Sequence, residues 1–230
     1  MRYIVDNGRP LYGLKTELYR IVNIMLNNPK KSLSKRFRGL LPVVVDVETS
    51  GLNPATDSIL EIAAVTLSMD AMENLAKNQT HSYHVEPFAG AHIDPAALAI
   101  TGIDPYYPLR FAIPEQQALH NIFSCIHQQL AKTGCKRAVL VGHNAWFDLA
   151  FIQAAAKRCQ LKNNPFHSFT TLDTASLSAL VLGETVLAKA VKSAGIIFDV
   201  NHAHSAIYDA EKTAELFCFI VNQTSCLKQI

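Results

Sequence analysis

Several things are missing from this sequence. No apolar run approaches the ~18 to 20 residues that a bilayer crossing requires, and the opening residues MRYIVDNGRP hold no apolar stretch resembling a secretion signal. The expectation is a soluble, cytoplasmic protein with no membrane partner. Cysteine is scarce and odd in number. Cys125, Cys135, Cys159, Cys218 and Cys226 form no CxxC pair and sit beside no zinc-spaced histidine pair, so reduced thiols are expected. There is no internal repeat and no low-complexity tract. What is present is 230 residues, 49% hydrophobic and 17% charged, enough for one sizeable α/β domain and too few for two independent ones.

The net charge of +2 conceals an uneven distribution. Residues 1–40 hold nine Lys/Arg against Asp6 and Glu17, a net of +7, which leaves twelve against seventeen, or −5, for the rest. The run Lys30, Lys31, Lys35, Arg36 and Arg38 supplies part of that excess. A basic arm beside an acidic remainder attracts nucleic acid through phosphate contacts and counterion release. A solvated, partly unstructured N-terminus explains the charge equally well.

Leu41 to Val47 and Ile59 to Leu67 have the β-branched composition of buried strands, and the turn-rich segment from Ser50 to Asp57 separates them. Thr80 to Val85 reads as a third strand, giving an antiparallel meander. Pro114 opens a helix whose apolar residues Leu119, Ile122, Phe123, Ile126 and Leu130 fall at helical spacing, and Thr133-Gly134 closes it. A short strand, Ala138 to Val141, leads into a helix beginning near Phe147. A last strand around Thr170 to Leu172 leads into a helix from about Thr174, and another helix covers about Val186 to Ala194. The final helix starts near Ser205, with Ala210, Ala214, Phe217 and Val221 along its buried stripe. Residues 11–26 have the pattern of a small amphipathic helix. The sum is a mixed sheet with helices on its faces.

Asp46 and Glu48 lie two apart on the first strand, so both leave the same face. Carboxylates on a strand otherwise made of valine are costly unless something positive neutralises them. Hard oxygen ligands favour Mg²⁺ or Mn²⁺ over zinc. Alternatively, one carboxylate caps the following turn and the other is solvated. Asp148 falls in a helix first turn, where the dipole welcomes an acid. Asp209 alone reads as a surface helix acid, and His204 in NHAHS is as unremarkable as His202 beside it. Taken together they supply what phosphodiester hydrolysis needs: four carboxylates for two Mg²⁺ ions, and a mobile histidine to take a proton from water.

The segments DVETSGLNP (Asp46 to Pro54), HNAWFD (His143 to Asp148) and HSAIYD (His204 to Asp209) resemble those of the DEDDh exonucleases. This family has a ribonuclease H-like sheet and includes the proofreading subunit of bacterial DNA polymerase III and oligoribonuclease. FRG at Phe37, HVEPFAGA at His84, GIDP at Gly102, LKNNPFHSF at Leu161 and ELFCFIVN at Glu215 are similar to its ribonuclease T-like branch. The resemblance implies a ribonuclease H-like mixed five-stranded α/β sheet flanked by helices, occupying residues 36–222. A basic extension over 1–35, in part without fixed structure, and a tail over 223–230 flank it.

It also implies a homodimeric 3′→5′ exoribonuclease that trims the 3′ ends of tRNA, rRNA and other stable RNAs and releases nucleoside 5′-monophosphates. Asp46, Glu48, Asp148 and Asp209 would hold the Mg²⁺ ions, and His204 would be the general base. Arg36, Arg38, Arg137 and Lys162 match a basic patch that one subunit offers to the other's active site, with Asn163 uncharged beside it. Phe147 and Phe169 match base-stacking positions. Leu52, Ala96 and Ile100 depart from the aromatic and acidic residues of the same pocket. Leucine and isoleucine pack on a base without reading its edge, so these changes bear on the branch's reluctance to remove terminal cytosine. Single-stranded DNA is the nearest alternative substrate, because such a site grips phosphates and bases more than the 2′-OH. A binding module that kept the fold and lost activity is the reading from a different class.

Overall fold

Val43, Val44 and Val45 are consecutive strand residues and all are fully buried. Successive strand side chains point to opposite faces, so an unbroken buried run means that both faces of the sheet are covered. The computed structural model describes residues 32–226, which lie in one compact unit. Most of the basic extension and the expected helix over 11–26 lie outside the described residues.

The chain runs α1 (Leu33–Arg36), β1 (Leu40–Thr49), β2 (Ile59–Met69), β3 (Leu75–His84), α2 (Pro95–Thr101), α3 (Glu115–Thr133) and β4 (Arg137–Gly142). It continues through α4 (Trp146–Arg158), β5 (Phe166–Asp173), α5 (Thr174–Leu182), α6 (Leu187–Ser193) and α7 (Ala206–Cys226). The strand order is β3-β2-β1-β4-β5, antiparallel across β3-β2-β1 and parallel across β1-β4-β5. This is the mixed five-stranded sheet flanked by helices that the sequence predicts.

β1 pairs with β4 only from Leu40 opposite Arg137 to Val44 opposite Val141, whereas its pairing with β2 continues to Glu48 opposite Glu61 and beyond. β1 therefore outruns β4, and its far end keeps an edge free on that side. α7 crosses β3, β2 and β1 with Ala210, Ala214 and Phe217 buried. α3 packs with α4 and against the sheet through the predicted stripe, Phe123 meeting the Phe166 ring edge-on at 6.4 Å. α5 and α6 pack on α7 around Ala190, Val191, Leu216 and Ile220.

Some boundaries move. β3 begins at Leu75 rather than Thr80, because it is an edge strand with Ala76 to Gln79 exposed and is defined by pairing with β2, not by apolar alternation. β5, the other edge, begins at Phe166 rather than Thr170 for the same reason. α2 was not predicted. It buries no residue, and its signals are its caps: Asp94 accepts from the Ala96 N–H at 2.9 Å, Pro95 follows, and Gly102 turns left-handed at φ 68°. Leu33 is buried in the main core, and the α7 backbone runs to Cys226. Among the described residues, no single helix is long and apolar enough to cross a membrane. The four cysteines described are free thiols.

Candidate active site

The free end of β1 organises the site. Strand alternation sends Asp46 and Glu48 out of one face. With no β4 partner beyond Val44, the Val47 N–H is available, and Asp148 Oδ1 accepts it at 3.0 Å. Asp148 reaches that edge because β4 ends at Gly142 and the chain reverses at once through Asn144 (φ 67°) into α4. A Cβ on Gly142 would sit 3.1 Å from Asp148 Oδ2 and from the Ala145 Cα, so the close approach favours glycine. Asp173 fixes the same turn by accepting from the Ala145 N–H at 3.0 Å, and it also caps α5.

Asp209 lies in the first turn of α7. Its Oδ2 accepts the His204 N–H at 2.9 Å, which holds His204 in a left-handed conformation (φ 63°) and carries the chain back over the carboxylates. One cavity of about 470 Å³ is lined by Asp46, Glu48, Asp148, Asp209 and His204, together with His143, Asn144, Trp146 and Phe147. The sequence reading thus named five residues that three distant segments bring to one cavity. His202 does not join them. It pairs with Asp199 at 3.4 Å and packs on Tyr208 at 5.6 Å.

Burial pushes Glu48 up to about 8, with the charges of Asp209, Glu61 and Asp148 adding to the effect. Burial also raises Asp148 to about 8, against the pull of the Val47 N–H. Asp46 is held well above the carboxylate range by burial first, then by the Asp148 and Glu48 charges. Asp209 is raised by burial although the His204 N–H draws it down. Four acids that resist ionisation together are the electrostatic counterpart of a cation site. Asp209 Oδ1 is buried with no hydrogen-bond partner, and ligand atoms of Glu48, Asp209 and His204 lie within 4.8 Å of one another. This predominantly oxygen donor set fits a divalent metal ion. Asp46 and Asp148 lie in the same cavity, outside that group of three.

Sequence reasoning missed three residues here. Trp146 is an exposed aromatic on the cavity wall, edge-on to Phe147 at 5.9 Å. His143 bridges the Thr174 hydroxyl (3.0 Å) and the Thr185 carbonyl (2.7 Å), which ties the cavity to α5. Glu61 stands opposite Glu48 on β2. A charged residue amid ILEIAAVTL was the only signal for Glu61, while His143 and Trp146 lie within the HNAWFD segment without a role having been assigned to them.

Phe147 lines the cavity, whereas Leu52 (81% exposed), Ile100 (64%) and Phe169 (80%) present large apolar faces to solvent. Leu52 and Ile100 lie on segments bound together. The Asp94 N–H donates to the Ser50 carbonyl at 2.7 Å, and the Ser50 hydroxyl donates to the His92 carbonyl at 2.7 Å.

The basic residues lie elsewhere. Arg137 opens β4 opposite Leu40, and its guanidinium donates twice to the Phe166 carbonyl. Arg38 and Lys162 sit in the turns just before β1 and β5, at the same end of the sheet and exposed. From Leu40 to Asp46 is six strand residues, about 20 Å, so this end is well separated from the carboxylates. Arg36 is turned inward. It donates to the Val221 carbonyl at 3.1 Å and lies 3.9 Å from the Glu73 carboxylate, pinning α1 to α7 and the β2–β3 turn. Arg36, which matches the basic patch by position, is engaged within its own subunit.

Comparison with known proteins agrees with the geometry. The family described as exonuclease, of the RNase_T type, matches residues 43–217. Ribonuclease T of Pectobacterium atrosepticum is 58% identical over 192 residues, 84% of this chain and 86% of that protein. Ribonuclease T of Hahella chejuensis is 57% identical over 197 residues, covering 86% and 90%, and that of Salmonella typhimurium is 55% identical over 197 residues, covering 86% and 92%. Among solved structures, a 3′-exonuclease that recognises the 3′ end of a histone mRNA stem-loop aligns with a TM-score of 0.66 at 17% identity, over 95% of this chain and 76% of that one. Escherichia coli exonuclease I in complex with a dT13 oligonucleotide aligns with a TM-score of 0.62 at 18% identity, over 83% of this chain. This chain spans 43% of that exonuclease I chain, so the likeness concerns the shared fold.

Proposed function

This chain belongs to the exonuclease family of the ribonuclease T type and is a metal-dependent 3′→5′ exoribonuclease, from which premise we propose that it trims the 3′ ends of tRNA, rRNA and other stable RNAs in the cytoplasm. The observation that carries this reading is the convergence of Asp46, Glu48, Asp148, Asp209 and His204 on one cavity at the free end of β1.

Asp46, Glu48, Asp148 and Asp209 are the groups that would hold the metal, two Mg²⁺ ions with Mn²⁺ as a substitute. Bound there, the metal supplies positive charge for the attacking and leaving oxygens of the phosphodiester. His204 takes a proton from the attacking water. Water oxygen bonds to phosphorus, the bond to the preceding 3′ oxygen breaks, and a nucleoside 5′-monophosphate leaves the shortened RNA with a free 3′-OH. Phe147 and Phe169 stack the terminal bases, each contact worth about 1 to 3 kcal/mol. Leu52 and Ile100 would pack on them without reading edges, which removes part of the basis for sparing terminal cytosine.

We further propose a homodimer in which Arg38, Arg137 and Lys162 bind RNA entering the partner's site, while Arg36 anchors the segment that carries Arg38. The separation of this basic end from the carboxylates within one subunit supports that assignment. Mixed dimers test it. A subunit with Asp46→Asn paired with one carrying Arg137→Glu and Lys162→Glu should regain activity, because one active site then meets an intact patch; no recovery, or a monomer in sedimentation, overturns it.

The test of function is incubation with Mg²⁺ and uncharged tRNA, a 3′-blocked copy, and a competing single-stranded DNA oligonucleotide. Stepwise shortening of the unblocked tRNA is expected. Internal cuts, or clear preference for DNA, would overturn the substrate assignment.

A further inference from the structure

Glu61 is a carboxylate on a buried strand, directly across the β1–β2 pair from Glu48, and its charge acts on Glu48 and Asp46. A fifth negative charge there is electrostatically unfavourable for its neighbours. Neither of its oxygens faces the catalytic cavity as an open donor. Oε2 accepts the Ala206 N–H, the first of α7, at 3.2 Å, and Oε1 lies 3.0 Å from His84 Nδ1. Ala206 is 1% exposed, so its N–H has no access to water, and the first N–H groups of a helix have no partner within the helix. Glu61 therefore caps α7 from a different element, and His84 fixes the capping rotamer.

The capped residue follows His204 by two. His204 holds a left-handed backbone, uncommon for a non-glycine residue, and two restraints on it are visible. Asp209 holds its own N–H, and Glu61 holds the chain two residues on. A second cavity of about 450 Å³, lined by Glu61, His84, Arg110, His202 and His204, borders this segment. The two carboxylate bonds fix the backbone at His204 and at Ala206, on either side of Ser205.

We propose that Glu61 is a positioning residue for His204, acting through the Ala206 N–H to hold the imidazole over the carboxylates. The inference rests on His204 being the general base, and a double-mutant cycle separates the two ideas. Glu61→Ala should lower kcat at least about tenfold with KM within about twofold. Glu61→Gln keeps an oxygen for the Ala206 N–H and should restore most of the loss. In a His204→Ala background, Glu61→Ala should change kcat by less than about twofold, because the group being positioned is gone. The metal concentration giving half-maximal rate should stay the same in Glu61→Ala. An equal fall in both backgrounds, a weakened metal requirement, or unchanged kcat in Glu61→Ala would each overturn the proposal. His204→Ala with wild-type kcat would instead overturn the base assignment beneath it.

Discussion

Replacing Glu48 with glutamine should stabilise the metal-free protein at alkaline pH and destabilise it, relative to wild type, once metal is added. The ordinary value for this carboxyl is 4.5, and burial beside Asp209, Glu61 and Asp148 pushes it up to about 8. For a folded-state value raised above the unfolded one, the favourable contribution is complete below the unfolded value and is lost as pH rises through the folded one. By linkage, the folded site disfavours Glu48 by about 4 kcal/mol at about pH 8, and by less than about 1 kcal/mol at about pH 5. Asp148 is pushed to about the same value and shares the repulsion, so relief of about 2 to 4 kcal/mol is the reasonable expectation. For a domain of this size that is roughly 5 to 15 °C in Tm. Thermal melts with a chelator should show Glu48→Gln above wild type at about pH 8 and nearly level with it at about pH 5. Excess Mg²⁺ should raise the wild type and not the variant, reversing their order. If the variant melts at or below wild type in chelator at the higher pH, or gains equally at both pH values, the buried acidic cluster is not as described.

Other outcomes follow from the same geometry. Asp46→Asn should abolish nucleotide release while leaving the circular dichroism spectrum unchanged; activity within a few-fold of wild type would remove the metal-ligand assignment. His204→Ala should lower kcat by about 100-fold or more with little change in RNA affinity, while His202→Ala stays near wild type; the opposite pattern would exchange the two histidines. Gly142→Ala should cut kcat by displacing Asp148 from the Val47 N–H, since the added Cβ meets Asp148 Oδ2 and the Ala145 backbone at 3.1 Å. A Gly142→Ala crystal structure with Asp148 undisplaced would contradict this. Arg158→Met strands the buried Glu115, which it holds through bonds of 2.6 and 2.9 Å, and should cost about 3 kcal/mol or more in a denaturant melt, with kcat unchanged while folded.

Local pattern carried much of the fold. β1 and β2 were legible because buried strands are β-branched runs, and α3 because its apolar stripe and its Pro114 and Gly134 boundaries agree. Edge strands such as β3 and the unburied α2 were poorly legible or invisible, because burial is what writes periodicity into a sequence. The motif residues Asp46, Glu48, Asp148, Asp209 and His204 were all named from sequence, yet their meeting is a tertiary event. Asp148 finds the Val47 N–H across 101 residues only because β1 extends past the end of β4 and leaves that donor free. The contacts that keep His202 out of the cavity, the inward turn of Arg36 and the helix cap supplied by Glu61 were likewise undecided by sequence. Strand and helix periodicity specify which face of an element is buried; which side chains then share a cavity depends on where strands end and how helices cross them, and those are set when the sheet assembles.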